Sequence, residues 1–348
     1  MTGARAPGSD VVVQTVRSRW PVAREASGRW IVVGEALAIN TGTTPLVLES
    51  VTLTALDETG APVASQVVST AWDIHDAVQV VGASGFKPAG STTVDPGEIA
   101  IAYLSAQAGR GKPTRSEISF RFDRGTVKKA QVPLDPFDSG QHLLWPLRFD
   151  RGPWAAVNTP GGAGHWRLKG LAAEELFVSE RFAVDLVQID ARGATSDPAG
   201  SSNREDYYAW GEDVLAAGAG TVVAVVADRP DLPIGAADPE RPAGNHVVIQ
   251  HGPSLFGVYA HLMQGSPTVA VGSTVTAGQR IGAVGNSGNT SEPHLHLHFA
   301  DRWDGRDPLA LFRAQGVPAL FWDADVQRGH RTHPLRGSTP LEPDVVVP

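Results

Sequence analysis

Apolar and polar residues alternate in short runs through the first 140 residues. "DVVVQTV" (10–16), "RWIVVGEALAIN" (29–40), "PLVLESVTLTAL" (45–56), "APVASQVV" (61–68), "GEIAIAYLS" (97–105), "SEISFRF" (116–122) and "TVKKAQVPL" (126–134) are rich in Val, Ile, Leu and Thr. "NTGTTP", "DETG" and "DPG" punctuate them with turn residues. Period-two runs between such turns predict β-strands. About seven short strands at this spacing predict an immunoglobulin-like β-sandwich over 1–140, read as an accessory or binding domain. His75, between Asp73 and Asp76, reads as a surface-loop residue in it.

The pattern breaks around "PLDPFDSGQHLLWPL" (133–147), which places a domain boundary there and a second domain over 141–337. That domain is also strand-rich, but glycines recur in it: "GAGTVVAVVAD" (218–228), "GNHVVIQHG" (244–252), "GVYAHL" (257–262) and "VGSTVTAGQRIGAVGNSGN" (271–289). Short strands turned by Gly predict hairpins folded onto each other. Residues 191–206 and 229–243 read as polar loops that either line a site or are surface insertions. "STPLEPDVVVP" (338–348) reads as a loose tail. The fold class expected is all-β.

Composition narrows the partners. The chain of 348 residues has 38 Gly and 26 Pro, which disfavours long helices. Its formal net charge of -8, with no run of Lys or Arg, argues against a nucleic-acid binder. The absence of cysteine excludes disulfides and thiolate metal sites. No apolar run reaches the ~18 residues of a membrane span. The opening "MTGARAPGSDVVVQ" lacks the features of a signal peptide. A cytoplasmic protein is expected if the sequence is complete as written, and a cell-envelope or secreted one if a signal was removed.

"SEPHLHLHFAD" (291–301) carries three histidines two apart. On a strand, His294, His296 and His298 share one face and Leu295, Leu297 and Phe299 the other. Alternate residues lie ~6.6 Å apart and converge on one small volume, whereas 294 and 298 are ~13 Å apart, too far to share one metal. The strip therefore supplies one ligand and one neighbour, and His296 belongs to either pair. His261 sits in "YAHL"; His246 and His251 read as satisfied core or surface groups, and His330 and His333 as solvent-facing. A hydrolytic zinc site needs three His, Asp or Glu ligands and an open fourth position. Asp185, in the apolar "RFAVDLVQI", is costly to bury without either a metal or an Arg partner such as Arg181.

"GVYAHL" followed by "VAVGSTVTAGQRIGAVGNSGNTSEPHLHLHF" resembles the core of the lysostaphin and LytM-type zinc metallopeptidases. The resemblance covers roughly residues 160–300. It implies an antiparallel β peptidase domain of the duplicated-hybrid-motif type, a Zn2+ cofactor, and hydrolysis of peptide bonds in bacterial cell-wall peptidoglycan or another peptide substrate. It implies His296 as a zinc ligand, His294 and His261 as catalytic histidines, and Asp185 as the ligand aspartate. The family's usual first ligand would fall at 181, where Arg181 stands. "ERFAVDLVQID" and "DYYAWGEDVLA" resemble a divergent branch whose first histidine lies about twenty residues upstream. His165 in "GGAGHWRL" then becomes the first ligand, with Asp206 or Asp213 as substitutes for Asp185. His298 has no catalytic counterpart in the family, which leaves it a surface or supporting role.

Three other readings compete. Lipoyl or biotinyl carriers share Gly-rich hairpins but need a hairpin lysine, and the last lysine here is Lys169. A metal-free histidine phosphocarrier would not need His165 and Asp185. A non-catalytic LytM-like regulator that binds peptidoglycan or a partner enzyme usually lacks ligands, whereas a full set can be assembled here.

Overall fold

Each of the seven alternating runs of the first part forms a strand, and the pairing between them is mostly antiparallel. The structure is a computed structural model that describes residues 11–69, 77–109, 111–160, 165, 170–172, 175–305 and 313–348. His75 lies outside the described residues. Two compact units are present: 1–22 with 29–136, and 23–28 with 137–348. Among the described residues helix is confined to short turns such as Asp123–Gly125 and Arg204–Asp206, and the fold is all-β. No helix among them is long and apolar enough to cross a membrane.

In the first unit the hydrogen-bonded path runs Pro62–Ser69, Leu46–Leu56, Arg115–Phe122, Val127–Pro136, Trp20–Arg24, Trp30–Asn40, Ile99–Ala108, Val78–Gly82 and Gly85–Phe86. Leu46, Leu48, Val51, Leu53 and Ala55 are buried, and residues between them are more open. They pack with Val32, Ala36, Leu104, Ile118 and Phe120 in one apolar cluster. Trp20–Arg24 and Val78–Gly82 were not predicted. Trp20–Arg24 contains Pro21, a poor strand residue, and its pairing is parallel to residues far along the chain, Leu134 to Pro136. Its anchor is Trp20, whose ring occupies the space a Cβ would take at Gly34.

The second unit holds one long antiparallel sheet in the order Thr274–Val275, Gly220–Val226, Asn245–Gly252, Leu255–Leu262, Leu295–Ala300, Val184–Gln188, Trp154–Val157, Val345–Val347, Asp325–Arg328 and Arg331–Pro334. Leu295, Leu297 and Phe299 enter its core beside Trp154, Leu186, Ile249 and Tyr259. The other face of Leu295–Ala300 carries His296 and His298.

The segment 338–348 is not a loose tail. Val345–Val347 pairs with Trp154–Ala155 on one side and Asp325–Gln327 on the other. Asp344 is fully buried; it accepts the Leu341 N–H at 2.8 Å and the Arg328 Nε–H at 2.6 Å. Arg328 also pairs with the buried Glu25 at 2.9 Å. The Pro residues and the terminal position suggested a free end; the apolar "VVV" instead fills the gap between two strands that the local pattern could not bring together.

Candidate metal centre

Sheet register builds the centre. Asp185 lies directly opposite His296, with Val157 on its other side, and Ala260 lies opposite His296. The row Val157, Asp185, His296, Ala260 crosses four adjacent strands. Asn158 follows the first of these and His261 the last. All five residues expected at the site meet here.

Asp185 is the hub. Its Oδ2 lies 3.1 Å from Nε2 of His165 and accepts the Asn158 side-chain N–H at 2.8 Å. Its Oδ1 lies 3.0 Å from Nδ1 of His296 and 3.4 Å from Nε2 of His294. Burial opposes ionisation of this carboxyl, but His165 and His294 hold it well below the usual carboxylate range. His165 shows the complementary effect: burial disfavours its charge, Asp185 outweighs this, and its pKa rises to about 9. His294 is also raised against burial, by Asp185. Arg181, the other candidate partner for Asp185, points elsewhere and donates to Gln315 Oε1 at 2.9 Å and Gly316 O at 3.2 Å.

The remaining ring nitrogens are committed. Nδ1 of His165 lies 2.9 Å from the Asn158 carbonyl and Nε2 faces Asp185, so the protonated ring donates from both nitrogens. Nδ1 of His294 lies 2.8 Å from the Glu292 carbonyl, with Thr290 Oγ1 at 3.1 Å. Nδ1 of His261 lies 2.8 Å from the Ser287 carbonyl. In the neutral form His261 therefore keeps a free Nε2 lone pair, whereas Nε2 of His294 faces Asp185. Their rings lie 4.7 Å apart. Burial, then His294 and His296, push the pKa of His261 well down.

Two site residues adopt left-handed backbone: Asn158 at φ 48° and His261 at φ 60°. Asn tolerates this region, but His pays a small strain energy that its surroundings must hold. The His261 N–H donates to Ala243 O at 3.1 Å and its carbonyl accepts from Gly285 N at 3.0 Å. These bonds fix the bend at the end of Leu255–Leu262.

The groups line a cavity of about 360 Å³. Gly235, Ala237, Pro242 and Ala243 from the 229–243 segment form one wall, with Asn289, Thr290 and Ser291 beside them. That segment thus lines the site. The 191–206 segment does not appear in the lining. Asp206 accepts from Ser201 Oγ at 2.6 Å and Asp213 pairs with Arg280 and Arg148, so neither stands in for Asp185. His251 is bound to Ala219 O and the Tyr259 hydroxyl, and His246 to Gly244 O, all outside the cluster.

Of the two roles left open for His298, the surface one is excluded. The residue is 2% exposed, and its Nδ1 lies 2.9 Å from Nε2 of His296. Glu180 Oε1 lies 3.8 Å from the same Nε2. Asn158 and Glu180 were missed altogether. The only sequence signal for Asn158 is its place at the end of the strand run "WAAV", ahead of "TP".

Nε2 of His165, a carboxylate oxygen of Asp185 and a ring nitrogen of His296 lie within 4.8 Å of one another. Two imidazoles and a carboxylate are a zinc donor set with room for a fourth position. Residues 205–308 match the model of Peptidase family M23. Over 60 residues the chain is 50% identical to the peptidoglycan DD-endopeptidase ShyA of Vibrio cholerae, covering 17% of this chain and 14% of that protein. It is 38% identical over 69 residues to an uncharacterized metalloprotease of Haemophilus influenzae, covering 20% and 14%. The chain thus spans about a seventh of the length of these curated relatives. Among solved structures, it is similar to the catalytic domain of the prophage-encoded M23 protein EnpA of Enterococcus faecalis (19% identity, 50% of this chain and 93% of that one, TM-score 0.29). It is also similar to a zinc-containing peptidase of Vibrio cholerae (13% identity, 76% and 82%, TM-score 0.28).

Proposed function

We propose that the protein is a zinc-dependent endopeptidase that hydrolyses peptide bonds of bacterial peptidoglycan. In this reading His165 Nε2, Asp185 and His296 Nδ1 hold the metal, and His261 and His294 act on the reacting atoms. The observation that carries it is the convergence of the His165 and His296 nitrogens on the Asp185 carboxylate in the lining of a cavity, beside two histidines whose Nδ1 atoms are held by backbone carbonyls. Zinc, when bound, supplies Lewis acidity and lowers the pKa of a coordinated water toward ~7. His261 and His294 provide the two functions that hydrolysis then needs from side chains: one Nε2 accepts a proton, and the other, protonated, donates to the developing oxyanion. Asn158 keeps Asp185 and His165 in place from one residue. Peptidoglycan as substrate is supported by the match to ShyA, and it implies action at the cell envelope or outside the cell. The unit containing 29–136 is proposed as an immunoglobulin-like accessory domain, and 141–337 as the peptidase domain.

The test is incubation of zinc-loaded protein with purified peptidoglycan, with and without a chelator, with released fragments identified by mass spectrometry. New amine termini that vanish with the chelator and return with zinc are expected. Zinc binding without any cleavage would favour the non-catalytic regulator, and no zinc binding would remove the metal centre.

A further inference from the structure

The metal-centre reading uses Nδ1 of His296 and leaves its Nε2 unexplained. An imidazole that offers one nitrogen to a metal carries its proton on the other, and in a buried site that N–H needs an acceptor. His296 is 5% exposed, so water does not meet this need freely. The atom that meets it is Nδ1 of His298, 2.9 Å away. His298 reaches it because alternate residues of strand Leu295–Ala300 share a face. The rings meet edge to face at 73°, with centroids 5.1 Å apart. Glu180 Oε1, 3.8 Å from the same Nε2, adds a negative field that favours a proton there. On the opposite side Asp185 faces Nδ1. His298 is itself an expensive residue to keep: its Nε2 is buried with no hydrogen-bond partner. A leucine at this position would fill the space without leaving that atom unsatisfied, so the packing alone does not account for an imidazole.

We propose that His298 is a positioning residue of the metal centre, which binds the distal nitrogen of His296 and thereby commits Nδ1 of His296 to the metal. It touches neither substrate nor the reacting atoms in this role. The proposal rests on the zinc reading above, but the His296–His298 hydrogen bond exists without it.

Two measurements test it. The first is zinc affinity by competition with a chromophoric chelator, for wild type, His298→Leu and His298→Asn. Asn places a side-chain oxygen near the position of Nδ1 and so keeps the acceptor. Loss of a carboxylate or carbonyl partner behind a metal-bound histidine typically weakens metal binding about 10–100-fold. A loss of that size is expected for His298→Leu, with recovery to within a few-fold of wild type in His298→Asn. The second is imidazole proton NMR of the metal-free protein. One exchange-protected His296 N–H, bound to the side chain at position 298, is expected in wild type and His298→Asn, and its absence in His298→Leu. If His298→Leu does not fold, His298→Gln replaces it, since its oxygen lies toward the Nε2 position and not toward His296. Wild-type zinc affinity in the variant lacking the acceptor, an Asn variant as weak as the Leu variant, or no protected N–H in wild type would each overturn the proposal. A wild type that binds no zinc but keeps the protected N–H would overturn the metal centre, and with it the positioning role, while leaving the hydrogen bond established.

Discussion

Strand Leu46–Leu56 in the first unit and strand Leu295–Ala300 in the second begin from the same alternating pattern but treat their polar face in opposite ways. Leu46–Leu56 buries its leucines and turns Val47 and Glu49 toward solvent. Leu295–Ala300 buries both faces, histidines included. The buried polar groups differ in kind as well. Asn40 in the first unit is satisfied by backbone groups alone: its side chain donates to Thr44 O at 2.9 Å and Val94 O at 2.8 Å and accepts from Gly42 N at 3.0 Å. Those bonds shape a turn. In the second unit, Asp185 instead draws together His165 and the pair His294 and His296 from two distant places in the chain. Burying that many titratable groups is costly unless they compensate one another.

Breaking the row should have the largest effect. Asp185→Ala is expected to abolish zinc binding and peptide release, read by metal analysis and the peptidoglycan assay, because it removes one ligand and the counter-charge of His165. Asn158→Gly should come next. It relieves the left-handed backbone and keeps the carbonyl that binds His165, but it removes the donor to Asp185. A loss of about 10–100-fold in zinc affinity is expected by the chelator titration. Asn158→Ala should show the same loss and also melt lower, by about 1–2 kcal/mol for a β-carbon in left-handed backbone.

Gly244→Ala sharpens the comparison from outside the ligand set. Gly244 sits at φ 56°, and a Cβ there would run into the backbone of Ser287, whose carbonyl binds His261. Activity should fall more than zinc affinity, because the change displaces a histidine that is not a ligand. Asn40→Ala is the converse. It should cost about 1–3 kcal/mol of stability through unsatisfied carbonyls, seen in thermal unfolding, with zinc affinity unchanged.

The smallest effect concerns pH. Burial lowers the pKa of His251 below its ordinary value, against the Ala219 and Gly218 carbonyls. The unfolded chain therefore takes up a proton near pH 6.5 that the folded state refuses. Stability from this group is full above about pH 6.5 and declines as pH falls toward the lowered folded pKa, by at most about 1.4 kcal/mol per pH unit. The stability advantage of wild type over His251→Gln should shrink between pH 7.5 and 5.5 in urea unfolding.

The alternating runs were enough to place the long strands, because period-two burial is local information. Trp20–Arg24 and Val345–Val347 were not legible, since each is made a strand by neighbours far away in the chain. The site divided along the same line. His261, His294 and His296 announce themselves by motif, and the apolar setting of Asp185 made its carboxylate conspicuous. His165 came from the resemblance alone, and the structure brings it to 3.1 Å from Asp185. His298 stayed open between a surface and a supporting role, because spacing along a strand does not say what the second nitrogen of each ring binds. Asn158 serves through its backbone carbonyl as much as its side chain, and residue-type reasoning cannot see a carbonyl.

The row Val157, Asp185, His296, Ala260 also sets a timetable. Its members come from four segments separated by long stretches of chain, and the strand that carries Val157 is closed on its far side by Val345–Val347. Non-local pairings of this kind form slowly during folding. A chain still emerging from the ribosome has His165 and Asp185 well before His296, and His296 well before the strand that finishes the sheet. The three donors therefore become neighbours only when the sheet is nearly complete. In the proposed reading, metal capture would then be a late event that reports assembly of the second unit.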